Sequence, residues 1–479
     1  MGRKNSPSDD QEVNKLIEQY ETAKAENHQI YLDGDQFADI ADRYAFERRF
    51  NEAQEVINYG LYLHPENTDL LVEQAYLYLD TQKIQEAKEI ASSITEEYNT
   101  EVKMLKAELL LTEGQLEAAQ YIINTVEEAD ELETIINIVY LYLDMGYPEC
   151  AKEWLDNGKK TFGNEEDFIA VTADYLAATN QTEAAIIQYN QLIDVDPYNA
   201  SYWVGLAKCY FIIENSEKAI EACDFALAAN EKFGEAYAYR AHSYFYLNNS
   251  DAAIADYQKA IEYKAIAPEV GNMFIGMAYT NKEDWSNADQ CYLEVIRLFK
   301  EKGDGNSPLL VDTYTNAALA TFELGNHEEA HEMCARAREI NPSEPMVDLT
   351  EGKIYLKEGK DQEAFNAFKV ALNGDSNAEM WFQVATAYSD EEMLPQAKIC
   401  YEKVYNINPK YENVAGKLAA LALIEGRVDD FFRYNNETTH PINEDMISDL
   451  LSQPYDRTEE GEQILKEVWE RMKKEKGNK

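Results

Sequence analysis

Glycine and proline are scarce in this chain, 21 and 12 among 479 residues. That scarcity excludes collagen-like and linker-rich architectures and leaves little material for long turns. Basic residues are also short: 43 lysines and arginines face 90 aspartates and glutamates, a net charge of −47. A polyanion repels the phosphate backbone of nucleic acids and the anionic face of membranes; salt screening weakens this at distance without reversing it at contact. Neither nucleic acid nor membrane is expected as a partner, and a basic or apolar protein or peptide is. No window reaches the roughly 18 consecutive apolar residues of a membrane span. Residues 1 to 10 hold no apolar stretch, so no secretory signal is expected there. Met1-Gly2 with Ser6 matches the loose myristoylation pattern, which is too short to carry weight. Cys150, Cys209, Cys223, Cys291, Cys334 and Cys400 contain no CxxC pair, and the closest two are fourteen residues apart. That speaks against zinc sites and disulfide frameworks, and a reducing cytoplasm is the expected setting. No cofactor is expected, and oligomeric state leaves no mark on the sequence.

What is present is self-similarity. Apolar residues make up 45% of the chain, enough to exclude a wholly disordered protein. Trp203-x-x-Leu206-Ala207-x-x-Tyr210 is repeated as Trp381-x-x-Val384-Ala385-x-x-Tyr388, and each is followed nine residues later by an alanine, Ala219 and Ala397. Aligning on that alanine gives Ala53, Ala87, Ala119, Ala151, Ala185, Ala219, Ala253, Ala288, Ala330, Ala364 and Ala397. Most steps are 32 to 35 residues, and the one from Ala288 to Ala330 is 42. A twelfth unit follows with Phe431 in place of the alanine.

This pattern resembles the tetratricopeptide repeat, a 34-residue helix pair with small residues at positions eight and twenty. Position eight here is Ala41, Ala75, Ala107, Ala173, Ala207, Ala241, Gly276, Ala318, Gly352, Ala385 and Ala419, with Val139 the exception. Position eleven is tyrosine in eight of twelve units, whereas the proline of position thirty-two stands only at Pro65, Pro197, Pro342 and Pro409. The physics of the spacing is independent of the family. Positions four, seven, eight and eleven share one stripe of the first helix, and twenty, twenty-four and twenty-seven share one stripe of the second. A lone pair of short helices is marginal in water, so stacking pair on pair is what buries both faces. The expected fold is all-α, a right-handed superhelical solenoid of stacked helix-turn-helix repeats. Residues 34–441 would hold about twelve units, after an N-terminal tail and capping helix (1–33) and before C-terminal capping helices (442–479). The turn-rich stretch 300–310 in the long step reads as a longer loop, with a break of the superhelix as the alternative.

One stretch mimics an enzyme. His327-Glu328-Glu329-Ala330-His331 matches H-E-x-x-H, in which two histidines one helical turn apart hold zinc. Ala330 is also the repeat's own packing residue, and the other histidines lie far off along a linear array. Two surface histidines are therefore the favoured reading, and a zinc hydrolase the alternative. The segments flanking the repeats are too short for an independent catalytic domain, so an enzyme is not expected. The resemblance implies an interaction scaffold or adaptor whose first helices turn positions two, five, nine, twelve and thirteen toward a concave groove. In the first units those positions supply Asp35, Asp42, Asp69, Asp80 and Glu101. In units six to eight they supply Lys208, Phe211, Ile212, Ala238, His242, Phe245, Tyr246, Met273 and Met277, the candidate binding residues. The lysine, arginine and asparagine set with which some relatives clamp acidic chaperone tails is not found.

Overall fold

The computed structural model describes residues 7–26, 28–96, 98–128, 130–373, 377–438, 440–452 and 459–477. Ser6 lies outside these, and with it the myristoylation pattern. Among the described residues every regular element is helical. The chain divides into two units, Met1–Ala267 and Pro268–Lys479.

In the first unit a helix, Pro7–Ala25, precedes a run of helical hairpins. They pair Gly34–Phe46 with Phe50–Leu63, Thr68–Asp80 with Ile84–Ser93, Thr100–Thr112 with Leu116–Ile123, and Leu132–Asp144 with Pro148–Phe162. Then follow Glu166–Ala178 with Thr182–Val195, Ala200–Ile212 with Ser216–Ala229, and Gly234–Tyr246 with Ser250–Glu262. The second unit pairs Pro268–Asn281 with Trp285–Lys302, Pro308–Glu323 with His327–Ile340, and Pro345–Lys357 with Asp361–Ala371. It ends with Ala378–Asp390 against Leu394–Ile407, Val414–Ile424 against Val428–Asn435, and the helices Glu444–Ser452 and Glu459–Gly477. Within each unit a hairpin packs on itself and on its sequence neighbours.

The alanine ladder explains the pairing. All eleven of its alanines, from Ala53 to Ala397, and Phe431 after them, are 0% exposed. A methyl group at that point lets the two backbones approach, and larger side chains close the gaps on either side. Asparagine caps set where first helices start: Asn67, Asn99, Asn199 and Asn377 each accept a backbone N–H of the first turn through the side chain.

The turn inside each hairpin is also uniform. One left-handed residue stands there every time: Arg48, Gln82, Gly114, Gly146, Asn180, Glu214, Asn248, Glu283, Gly325, Gly359, Glu392 and Gly426. The next residue's N–H then returns to the carbonyl of repeat position eleven, as Asn215 does to Tyr210 at 2.9 Å and Met393 to Tyr388 at 2.8 Å. This bond closes the first helix with its last carbonyls satisfied. The long step does not become a longer loop. Its extra residues lengthen the flanking helices, to 18 residues in Trp285–Lys302 and 16 in Pro308–Glu323, with Gly303 ending the former left-handed.

The outer helices cover the ends of the two units. Leu16 and Tyr20 pack in the cluster of Phe37 and Ile57, and Glu21 accepts the Tyr44 hydroxyl at 2.8 Å and Arg49 at 3.0 Å. At the other end Val468 is fully buried, and Leu465, Trp469 and Met472 lie against the cluster of Leu418 and Phe431. Arg471 pairs with Asp429 at 2.6 Å.

Candidate partner-binding site

Four successive first helices of the first unit build one hollow. Position nine of each contributes a side chain: Tyr140 from Leu132–Asp144, Asp174 from Glu166–Ala178, Lys208 from Ala200–Ile212 and His242 from Gly234–Tyr246. Position five contributes a small floor of Ala170, Val204 and Ala238, and position two contributes Ser201 and Glu235. Identical spacing on stacked identical helices is what puts these residues in rows. The hollow measures about 500 Å³ and is walled further by Tyr189, Tyr202, Tyr239, Ala265 and Ile266.

Asp174 organises one side of it. Tyr140 donates its hydroxyl to Asp174 Oδ2 at 2.7 Å, and Tyr189 donates to Oδ1. Tyr189 belongs to a second helix and reaches this carboxylate by lying across Gly205. A Cβ at Gly205 would sit 2.2 Å from the Tyr189 ring, so only glycine leaves the passage open. Burial first, and then the negative charge of Asp174, hold the Tyr140 and Tyr189 phenols well above the usual tyrosine range. The Tyr239 phenol is pushed up to about 12 by burial, with Glu235 and Asp174 adding to it. Tyr202 is likewise pushed up to about 12, by burial and by Glu166, to which it donates at 3.3 Å.

Glu235 lines the hollow as an exposed residue, although neighbouring protein atoms partly desolvate its carboxyl. Its carboxyl is raised, first by that desolvation and then by Asp174, while Lys208 acts in the opposite direction. Burial lowers the His242 pKa and so favours the neutral ring; its Nδ1 lies 2.7 Å from the buried Tyr257 hydroxyl. Such a set of fixed phenols, two carboxylates, one ammonium and a neutral imidazole can orient a polar or charged group.

Models of the tetratricopeptide repeat match residues 171–232, 234–266, 269–343 and 378–411. They fall on the helical hairpins just described. Over those residues the chain carries tetratricopeptide repeats. Its relatives include anaphase-promoting complex subunit 7 of Dictyostelium discoideum, 25% identical over 50% of this chain and 40% of that protein. RNA polymerase II-associated protein 3 of Xenopus laevis is 25% identical over 46% of this chain and 32% of that protein. The chain thus spans less than half the length of either. Among solved structures it is similar to yeast Tom70, with a TM-score of 0.43 and 14% identity over 92% of this chain and 96% of that one. The Cut9–Hcn1 complex of the APC/C gives 0.37 and 13%, over 96% and 94%.

Within the matched repeats, Lys208, Ala238 and His242 line the hollow. Phe211 is half-buried beside it, its ring 6.0 Å from His242, 6.3 Å from Tyr239 and 5.5 Å from Tyr246. Phe245 stands 6.4 Å from Tyr246, and Ile212 and Tyr246 are exposed beyond them. Met273 and Met277 belong to the second unit. Met273 is buried, its sulfur accepting the Thr313 hydroxyl at 3.5 Å, and Met277 packs partly buried against the same core cluster. Met273 is therefore packing rather than open surface. Reading position nine in units four and five as well would have found Tyr140 and Asp174. Tyr189 stands at core position twenty-four and Tyr239 at position six, which the repeat assigns to neither core nor groove, so neither gives such a signal.

His327 and His331 share the helix His327–Ile340 and both face Glu358, at 3.4 Å and 3.2 Å. Lys360 pairs with the same carboxylate at 2.9 Å, and the His331 ring lies 5.0 Å from Tyr355. Among the described residues no three or more histidine, cysteine, aspartate or glutamate side chains are grouped as metal ligands.

Proposed function

We propose that this chain is a scaffold or adaptor that holds an extended segment or helix of a partner protein along the rows of positions two, five and nine. The observation that carries the reading is the hollow itself, where four stacked first helices converge polar and aromatic side chains on one space. The curated relatives agree in kind: by their names, one is a subunit of a complex and the other is associated with a polymerase. A basic or apolar partner fits the net charge of −47. On this reading the chain is not an enzyme, and metal analysis of the purified protein would find no stoichiometric zinc at His327 and His331. The six cysteines stand as free thiols, which supports a reducing cytoplasmic setting.

The test places a photo-crosslinking residue at Ser201, exposed at the hollow, and separately at Tyr121, exposed on a second helix. In cells, a discrete partner adduct is expected from the first position and not from the second. Adducts from Tyr121 alone, or from neither, would remove the groove as the binding face.

A further inference from the structure

We infer that the hollow of the first unit receives one cationic side chain, a lysine or arginine of the partner's segment, between the carboxylates of Asp174 and Glu235 and against the walls of Tyr140 and Tyr239. The inference rests on the scaffold reading and names the chemistry of its central contact.

Charge complementarity carries it. Glu235 makes no hydrogen bond and no ion pair among the described residues, although it stands in a walled space. Asp174 accepts one phenol on each oxygen, which leaves further lone pairs for an N–H donor. The sole cation of the lining, Lys208, forms no ion pair among the described residues either. The lining therefore carries two carboxylates against one ammonium, with Glu166 adding negative charge through Tyr202 at the edge. Desolvation first raises both Glu235 and Tyr239, and the neighbouring carboxylates add to it. An incoming ammonium or guanidinium relieves this excess of negative charge and gains contact with the tyrosine faces. An anion meets the opposite field. An apolar side chain strips Glu235 of water with nothing in return. The volume of about 500 Å³ is in the range of small-ligand sites and admits one long side chain.

Lys208 then acts as a resident competitor for the same carboxylates, which gives the test two signs. The probes are three fluorescein-labelled degenerate nonapeptide pools whose central residue is arginine, citrulline or norleucine, titrated into the full chain by anisotropy. Arginine and citrulline have nearly the same shape and differ in charge. The arginine pool is expected to bind about tenfold tighter than the citrulline pool, equal to about 1.4 kcal/mol. Glu235→Gln should remove most of that preference, and Lys208→Met should enlarge it. A misfolded variant cannot bind more tightly, so the second result also controls the first. Equal binding of arginine and citrulline, tightest binding of norleucine, or weaker arginine binding in Lys208→Met would each overturn the inference. Binding without charge preference leaves the scaffold reading intact. If no pool binds, this inference falls, and the Ser201 crosslink then decides the scaffold reading separately.

Discussion

Glu214, Glu283 and Glu392 should each stabilise the chain when replaced by glycine. All three are left-handed, with φ of 58°, 57° and 57°, at the residue that ends the first helix of a hairpin. An L side chain in that conformation costs about 1 kcal/mol or somewhat more, from contact of Cβ with the backbone. Glycine removes the clash but adds freedom to the unfolded chain, which returns about 0.4–1 kcal/mol. The net gain is about 0.5 kcal/mol per site. Because the three sites lie in separate hairpins, the triple variant should gain about 1.5 kcal/mol. The same exchange inside a helix loses about 1 kcal/mol per site, so the two conformations predict opposite signs. Stacked repeats do not unfold as one two-state unit. The measurement is therefore local: hydrogen-exchange protection of Ser216–Ala229, Trp285–Lys302 and Leu394–Ile407, alongside urea denaturation of the whole chain. A triple variant less stable than the parent would refute the turn geometry.

Two further outcomes follow from particular contacts. Glu235→Gln should stabilise the chain at pH 7, because the folded state raises this carboxyl and so disfavours its charged form. The favourable contribution of a raised acid is complete below the ordinary carboxyl value of 4.5 and is lost as pH rises through the folded one. The gain in thermal midpoint should therefore shrink as pH falls toward 4, and a constant gain would show that charge is not its cause. Gly352→Ala should destabilise the second unit, since its Cβ would lie 2.5 Å from the buried Phe368 ring. Overpacking of about 1–3 kcal/mol exceeds the roughly 1 kcal/mol that alanine gains in a helix. Thermal melts in a Phe368→Leu background should show the alanine as neutral or stabilising; an unchanged loss would point away from the ring.

The hairpins were legible residue by residue because each repeat states its own packing rule. Ala53 to Ala397 must be small where two backbones meet, and that requirement returns at every step whatever the rest of the repeat does. The groove positions came from the resemblance to the repeat family, and three of the residues they named, Lys208, Ala238 and His242, line the hollow. The turn was less legible. Gly114, Gly146, Gly325, Gly359 and Gly426 signal a left-handed residue, but Arg48, Gln82 and three glutamates adopt the same conformation with no local preference for it. Stacking of the hairpin imposes it on them.

Periodicity within one chain segment was enough to specify small residues at close approaches, the succession of helical pairs and the buried stripe of each helix, since all of these depend on neighbours a few residues away. Packing between segments had to specify the rest. It drew Met273 into the core, turned the extra residues near 303 into longer helices, and carried the Tyr189 ring over Gly205 to Asp174. It also left Glu235 in a hollow with no hydrogen bond or ion pair among the described residues, because the electrostatics of that space depend on side chains from four hairpins that meet only when the stack has formed.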